Sequence, residues 1–339
     1  MHLPADLRDI LNAVSIDSPE AFSIDGERFE LADAATPHDQ LAASLANALY
    51  FRKYSRGSAS QKPLAANNRA ARVFVEMLSQ ANCGTGTWEP GWVVQAEEPD
   101  GTLVVRRTRD EILVWAPPDR FRSTTGSRTP GTTGRVRVAK ELREMMPGFY
   151  AVFGDADRNL DVAKDDVEVV RFYWHLTPPG ALPWIRELTA RFNGAQVPFH
   201  AKVLSDPATY VRADAGVLYV ERTDVASALA LLPSLHREVV NHLRPTTPMF
   251  TKRLAHGLSV AEDPGNGSSF GQHRCQLIAD GLVCAFAQAE VTLEGRLRSV
   301  ADRFADAGVP LAKPWLNRGS TDSYRWARLR RRVRSAESP

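Results

Sequence analysis

Five cationic side chains in the second half of the chain have the types and order that phosphate chemistry needs. His175 stands in RFYWHLT, Lys202 in PFHAKVLS, Arg212 in YVRAD, Lys252 in MFTKRLA and Arg274 in SSFGQHR. Tyr219 follows Arg212 closely, in AGVLYVER. Lys202 interrupts an apolar run, where an ammonium group is costly unless it reaches water or is put to use. On a strand, the period of two places Lys202 with His200 and Leu204, and Phe199 with Ala201 and Val203 on the other face. In the next run Val217, Tyr219 and Glu221 share one face, and Leu218, Val220 and Arg222 the other.

The chemistry that calls for this set is β-elimination of phosphate from phosphoserine or phosphothreonine. The α-proton of a peptide residue is a very weak acid, so its removal needs a strong base held close. A lysine serves once it is uncharged, and both burial and neighbouring cations lower its pKa. Arginines supply those cations and grip phosphate through two parallel hydrogen bonds. A histidine can give a proton to the departing phosphate oxygen. On this reading Lys202 is the base and His175 the acid, with Arg212, Arg274 and Lys252 holding phosphate. The reaction requires no metal and no organic cofactor. Each residue also has a plain structural reading. His175 beside Tyr173 and Trp174 reads as a core histidine, Lys202 as a snorkelling side chain, Arg212 as a surface ion pair with Asp214, and Tyr219 as core. The pattern by itself reaches an α+β protein with an anion site.

Other chemistries lack their signatures. There is no His-Glu-x-x-His, no Cys-x-x-Cys and no Gly-x-Ser-x-Gly. The pair Gly84 and Gly86 lacks the third glycine and the preceding strand of a dinucleotide fold. The three cysteines have no metal-ligand spacing, which fits a reducing compartment. No secretory signal is visible in MHLPADLRDILNAV and no long apolar run is present, so a cytoplasmic protein without a membrane span is expected. With 42 Lys and Arg against 40 Asp and Glu, the net charge of +2 does not describe a nucleic-acid binder. Only the tail from Arg325, RWARLRRRVRSAESP, is strongly basic, and it reads as a solvated terminus.

The elements that must position these residues read as an α+β fold, mainly antiparallel sheet flanked by helices. Helical periodicity runs through ADLRDILNAVS, PHDQLAASLANALYFRKYS and RAARVFVEMLSQAN. Short β-branched runs follow in GWVVQAEE, GTLVVRRT and EILVWAP, then a Ser/Thr/Gly/Arg-rich loop and GFYAVFGDA. Strands VEVVRFYWHLT, FHAKVLS and AGVLYVER alternate with helices GALPWIRELTARFNGA and DVASALALLPSLHREVVNHL. A further short strand, a polar loop and two more helices complete the chain. The expected organisation is an N-terminal α+β region over 1–148 for peptide or partner binding, a catalytic region over 149–326, and a basic tail over 327–339.

The block NGAQVPFHAKVLSDPATYVRADAGVLYVER, with PMFTKRLAHGLSVAEDPGNGSSFGQHRCQLIADGL after it, resembles the HopA-type effector family, first known as type III effectors of plant-pathogenic bacteria. LSQANCGTGTWEPGWVV and PGFYAVFGDA resemble it too, so the resemblance runs from about Leu45 to Trp326. It implies a phosphothreonine-lyase-like C-terminal half. In actinobacterial gene clusters HopA-like proteins are associated with class V lanthipeptides and thioamitides. There the implied partners are an aminoglycoside-phosphotransferase-like kinase and the precursor peptide it phosphorylates. The product would be dehydroalanine or dehydrobutyrine. A more distant similarity is to phosphothreonine lyases, which use a histidine acid, a lysine base and a phosphate-binding arginine in that order. His175, Lys202 and Arg212 match that order, Tyr219 resembles the tyrosine that follows, and Arg274 resembles a later phosphate-binding arginine. The surroundings of the lysine depart from that pattern, being Ala201-Lys202-Val203. Glu221-Arg222 stands where those lyases carry a further lysine, a role for which Lys252 is the candidate here. The resemblance also allows a non-catalytic effector or phosphopeptide-binding module that works with a kinase.

Overall fold

The computed structural model describes residues 5–31, 37–56, 69–108, 111–146, 148–156 and 168–326. The basic tail over 327–339 and nearly all of the connector after Arg56 lie outside the described residues. The N-terminal part holds α1 (Ala5–Ala13), β1 (Val14–Ser18), β2 (Ala21–Ile24), β3 (Glu27–Glu30), α2 (Pro37–Leu49) and α3 (Arg69–Ala81). Next come β4 (Thr87–Glu97), β5 (Leu103–Arg107), β6 (Leu113–Ala116), β7 (Phe121–Ser123) and β8 (Thr133–Val138). The remaining strands are β9 (Glu141–Met146), β10 (Phe149–Phe153), β11 (Val169–Trp174), β12 (His200–Leu204), β13 (Gly216–Glu221), β14 (Lys252–Ala255) and β15 (Leu258–Glu262). Among them lie α4 (Pro178–Gly194), between β11 and β12, and α5 (Val225–Val239), after β13. The last two helices are α6 (Phe270–Ala287) and α7 (Leu293–Asp306). The α+β reading therefore holds, with every paired strand antiparallel. Among the described residues no helix is long and apolar enough to cross a membrane.

The strands form three sheets. A small one is β1-β2-β3, a second is β6-β5-β4-β8-β7, and the main one is β14-β15-β11-β13-β12-β10-β9. Alternation splits the main sheet cleanly into two faces. Val170, Phe172 and Trp174 of β11, Ala201 and Val203 of β12, and Leu218 and Val220 of β13 bury against α4 and α5. Tyr173, Val217, Tyr219 and Ala261 bury on the opposite face with α1, α2, α6 and α7. This second apolar layer includes side chains of β11, β13 and β15 but none of β12 or β10. The half-buried Lys202, His200 and Phe149 lie where it stops.

Two departures from sequence expectation matter. The stretch between the first two helices folds into the β1–β3 meander, a strand signal too short to stand out beside its helical neighbours. The helix expected to run through YFRKYS changes at Tyr50 to a π-helical turn over Tyr50–Tyr54, with Ser55 N–H donating to the Tyr50 carbonyl at 2.9 Å. The expected division at 148/149 passes between β9 and β10, which pair in one sheet. Helix α2, from the first part, packs on α6 from the second.

Candidate active site

Lys202 lies in the middle of β12, in register with Ala151 of β10 and Val217 of β13. Its flanking strands therefore set small side chains beside it. Its Nζ sits 4.3 Å from the Phe149 ring centroid and 5.9 Å from that of Tyr219. Among the described residues it has no hydrogen-bond acceptor and no carboxylate partner. Burial drives its pKa from the ordinary 10.5 to about 8; Asp214 pulls the other way, and Arg171 and Arg212 add to the fall. An ammonium kept from water beside two guanidinium groups gives up its proton readily.

The loop after β12 brings in Arg212. Asp206 caps the short turn at Ala208 N–H (2.9 Å), and the Tyr210 hydroxyl donates to the Leu204 carbonyl at 2.7 Å. Ala213 N–H then donates to the Ser55 carbonyl at 2.7 Å, which ties the loop to the end of the π-helical turn. Arg212 is 7% exposed and Asp214 5%. Arg212 Nε and Nη2 bind the two Asp214 oxygens at 2.8 and 2.7 Å, a bidentate pair. Nη2 also donates to the Tyr50 hydroxyl at 3.1 Å, leaving Nη1 without an acceptor among the described residues. Burial would raise the Asp214 pKa, but Arg212 and Lys202 outweigh it and hold it below the ordinary carboxylate range.

The π-helical turn supplies the opposite wall. Tyr50 and Tyr54 stack at 5.3 Å, and Tyr50 reaches the Arg212–Asp214 pair. Single π-turns recur at functional sites because they re-aim side chains that an α-helix would turn elsewhere. Gly271 of α6 is required here: a Cβ on it would lie 2.3 Å from Tyr54 Cε1.

His175 follows Tyr173 by two residues, so it continues the face that carries Lys202. From strand spacing, its Cα lies about 12 Å from that of Lys202, a gap two long side chains can straddle. It is 4% exposed. Its Nδ1 lies 3.1 Å from the Thr246 carbonyl and 2.9 Å from Thr246 Oγ1. Its Nε2 is buried with no partner among the described residues. Burial lowers its pKa, Arg244 adds to the fall, and the Thr246 contact and Asp214 oppose it.

Tyr219, 9% exposed, stacks on His200 at 4.3 Å and lies under Arg171 at 5.2 Å. Arg171 itself is paired with Asp263 through Nε at 2.5 Å. The structure thus brings Lys202, Arg212 and Tyr219 together, with His175 on the same face.

It does not bring Lys252 or Arg274 into their contacts. Lys252 lies on edge strand β14, with three strands between it and β12, about 19 Å away at ordinary spacing. It pairs with Val260, so it points to the Ala201 face, opposite Lys202. Its Nζ is held by Asp322 (2.6 Å) and the Tyr324 carbonyl (2.8 Å). Arg274 is fully buried in α6. Its Nε donates to the Pro314 carbonyl at 2.8 Å and Nη2 to Leu316 and Asn317, so it fastens the loop after α7.

Sequence reasoning passed over Arg171, Tyr50 and Phe149, and saw Asp214 only as a surface partner. Arg171 was within reach: it shares the period of two with Tyr173 and His175. Tyr50 was not, because only the π-turn aims it here.

A family model described as the HopA1 effector protein family matches residues 142–316, more than half of the chain. No curated protein matches. Two solved structures are similar over most of the chain. The effector protein from Pseudomonas syringae pv. tomato strain DC3000 is 16% identical, covers 82% of this chain and 99% of its own, and has a TM-score of 0.46. The effector protein from Pseudomonas syringae pv. syringae strain 61 is 13% identical, covers 83% and 97%, and has a TM-score of 0.45.

Proposed function

The chain belongs to the HopA1 effector protein family, and from that premise we propose that it is a phosphoserine/phosphothreonine lyase. The substrate is a precursor peptide phosphorylated by an aminoglycoside-phosphotransferase-like kinase, and the product carries dehydroalanine or dehydrobutyrine, as in lanthipeptide-like natural products. The observation that carries this reading is Lys202, a half-buried amine with no acceptor among the described residues, its pKa drawn down to about 8 by burial and helped by two arginines. A structural lysine would have its ammonium paired or extended to water; this one is held ready to accept a proton.

The neutral Lys202 amine takes the α-proton and becomes ammonium. The Cα–H electron pair forms the Cα=Cβ bond, and the Cβ–O bond breaks to release phosphate. Arg212, fixed by Asp214 and Tyr50, offers its Nη1 to the phosphate, and Tyr219 lines the same floor. When Thr246 Oγ1–H donates to His175 Nδ1, the imidazole proton sits on Nε2, where the neutral ring can donate a hydrogen bond to the leaving oxygen and keep its proton. Burial suits that neutral tautomer. No cofactor enters the scheme.

Mass spectrometry of a phosphothreonine peptide with the protein tests the proposal. Loss of phosphoric acid, leaving a thiol-reactive alkene, is expected, and Lys202→Ala should abolish it while the fold persists. Phosphate release that leaves plain threonine would mean a phosphatase instead. A peptide that binds but keeps its mass would mean a phosphopeptide-binding module.

A further inference from the structure

The five-stranded sheet β6-β5-β4-β8-β7 has one face in its own small core, formed by Trp92, Val94, Leu103, Val105, Ala116, Phe121 and Val136. Register places Trp88, Arg122 and Arg137 on the other face, and Val104 and Trp115 further across it. The two halves of this outer face differ. On the β7–β8 side Arg122 stacks over Trp88, its Cζ 4.0 Å from the ring centroid, with Arg137 at 5.9 Å. Arg137 Nε and Nη2 both donate to the Thr85 carbonyl, which fixes that guanidinium. On the β6 side Trp115 is 58% exposed and Leu113 49%, on an edge strand paired only with β5. An open apolar edge is a feature that folds cover or use.

We infer that this face docks an extended acidic segment of a peptide, its carboxylates on the Arg122–Trp88–Arg137 stack and an apolar residue against Trp115. Guanidinium groups held against an aromatic ring are weakly hydrated and oriented, which favours carboxylates. Register sets Trp115 about four to six residue steps along the strands and two to four strand spacings across from the stack, about 23 Å, which an extended peptide crosses in about seven residues. Charge argues against a nucleic acid, since the apolar end carries acids: Glu98 accepts from Trp115 Nε1 at 3.4 Å, and Glu111 pairs with Arg106. A phosphate backbone laid across the face would meet them. The location fits a substrate-holding role, which rests on the lyase reading. Only two residues join β8 to β9, and β10 alone separates β9 from the strand of Lys202.

The test is fluorescence anisotropy with the full chain. The probe is a labelled, unphosphorylated peptide in which Asp and Glu lead into Leu and Phe. Binding that weakens with salt is expected, with a loss of about tenfold for Arg122→Glu and about fivefold for Trp115→Ala. Both side chains are exposed, and circular dichroism checks the fold of each variant. Elimination from a short phosphothreonine peptide without acidic residues should be unchanged in both, so failure of the lyase reading and failure of the docking reading show in different assays. No binding by the unmodified protein, equal binding by Arg122→Glu, or tighter binding of a single-stranded oligonucleotide than of the peptide would each overturn the inference.

Discussion

Replacing Lys202 with methionine should make the protein more stable at pH 7. Methionine keeps the length and apolar stem of lysine and removes only the charge. The fall of the lysine pKa from 10.5 to about 8 corresponds, at about 1.4 kcal/mol per tenfold, to roughly 3 kcal/mol against the charged form in the folded state. The ring of Phe149 at 4.3 Å and that of Tyr219 at 5.9 Å offset part of this, by about 0.5–2 kcal/mol. Burial outweighs the aromatic contacts, so Lys202→Met should gain about 1–3 kcal/mol. The sign with pH follows from which state holds the proton. Below about pH 8 both folded and unfolded chains carry it, and the methionine advantage is full. Between about 8 and 10.5 the unfolded chain holds more protons than the folded one, so the unmodified protein gains stability with rising pH and the advantage shrinks. Urea unfolding followed by circular dichroism, at pH 7 and again above pH 10, measures both effects. A methionine variant no more stable at pH 7, or one with the same advantage at both pH values, would refute the reasoning that burial holds Lys202 short of its charge.

Three further outcomes separate the candidate site from its surroundings. Elimination from a phosphothreonine peptide should rise about tenfold per pH unit and level off near pH 8, as Lys202 loses its proton; a rate that is flat below pH 8 would remove Lys202 as the base. Lys252→Ala should leave that rate unchanged and lower stability by no more than about 1 kcal/mol, because its pair with Asp322 is partly solvated and on the far face; a lost rate would mean that β14 reaches the substrate. Arg274→Leu should lower stability by about 3 kcal/mol, since two buried carbonyls and the part-buried Asn317 side chain on the 314–317 loop lose their donor. The thermal midpoint reads that loss, and activity per folded molecule should persist.

What the sequence revealed depended on how local the cause was. Lys202 was legible because alternation is a property of adjacent residues: Ala201 and Val203 had to face a core, so Lys202 had to face away from it. The strands of β11, β12 and β13 and the helices between them were legible for the same reason. Order along the chain carried Arg212 and Tyr219, which follow on the next turn and strand. It misled at Lys252, because nothing local told that β14 would be the far edge and that Lys252 would pair with Val260. Arg274 looked like an anion-binding cation because its partners are backbone carbonyls, which carry no residue signature.

The groups around Lys202 and Arg212 come from four separate places: Arg171 on β11, Arg212 and Asp214 in the loop after β12, Tyr50 in the π-turn, and Phe149 on β10. That dispersion bears on how the site works. Asp214 raises the Lys202 pKa and at the same time fixes the arginine that lowers it. Were Asp214 free to move toward Lys202, the amine would regain its charge. Two hydrogen bonds to Arg212 hold it in place, and the Ala213 link to Ser55 anchors the loop behind it. Burial is thus the main cause of the lowered Lys202 pKa, and the Arg212–Asp214 pair, with Tyr50 of the π-turn bonded to it, keeps Asp214 from undoing that fall.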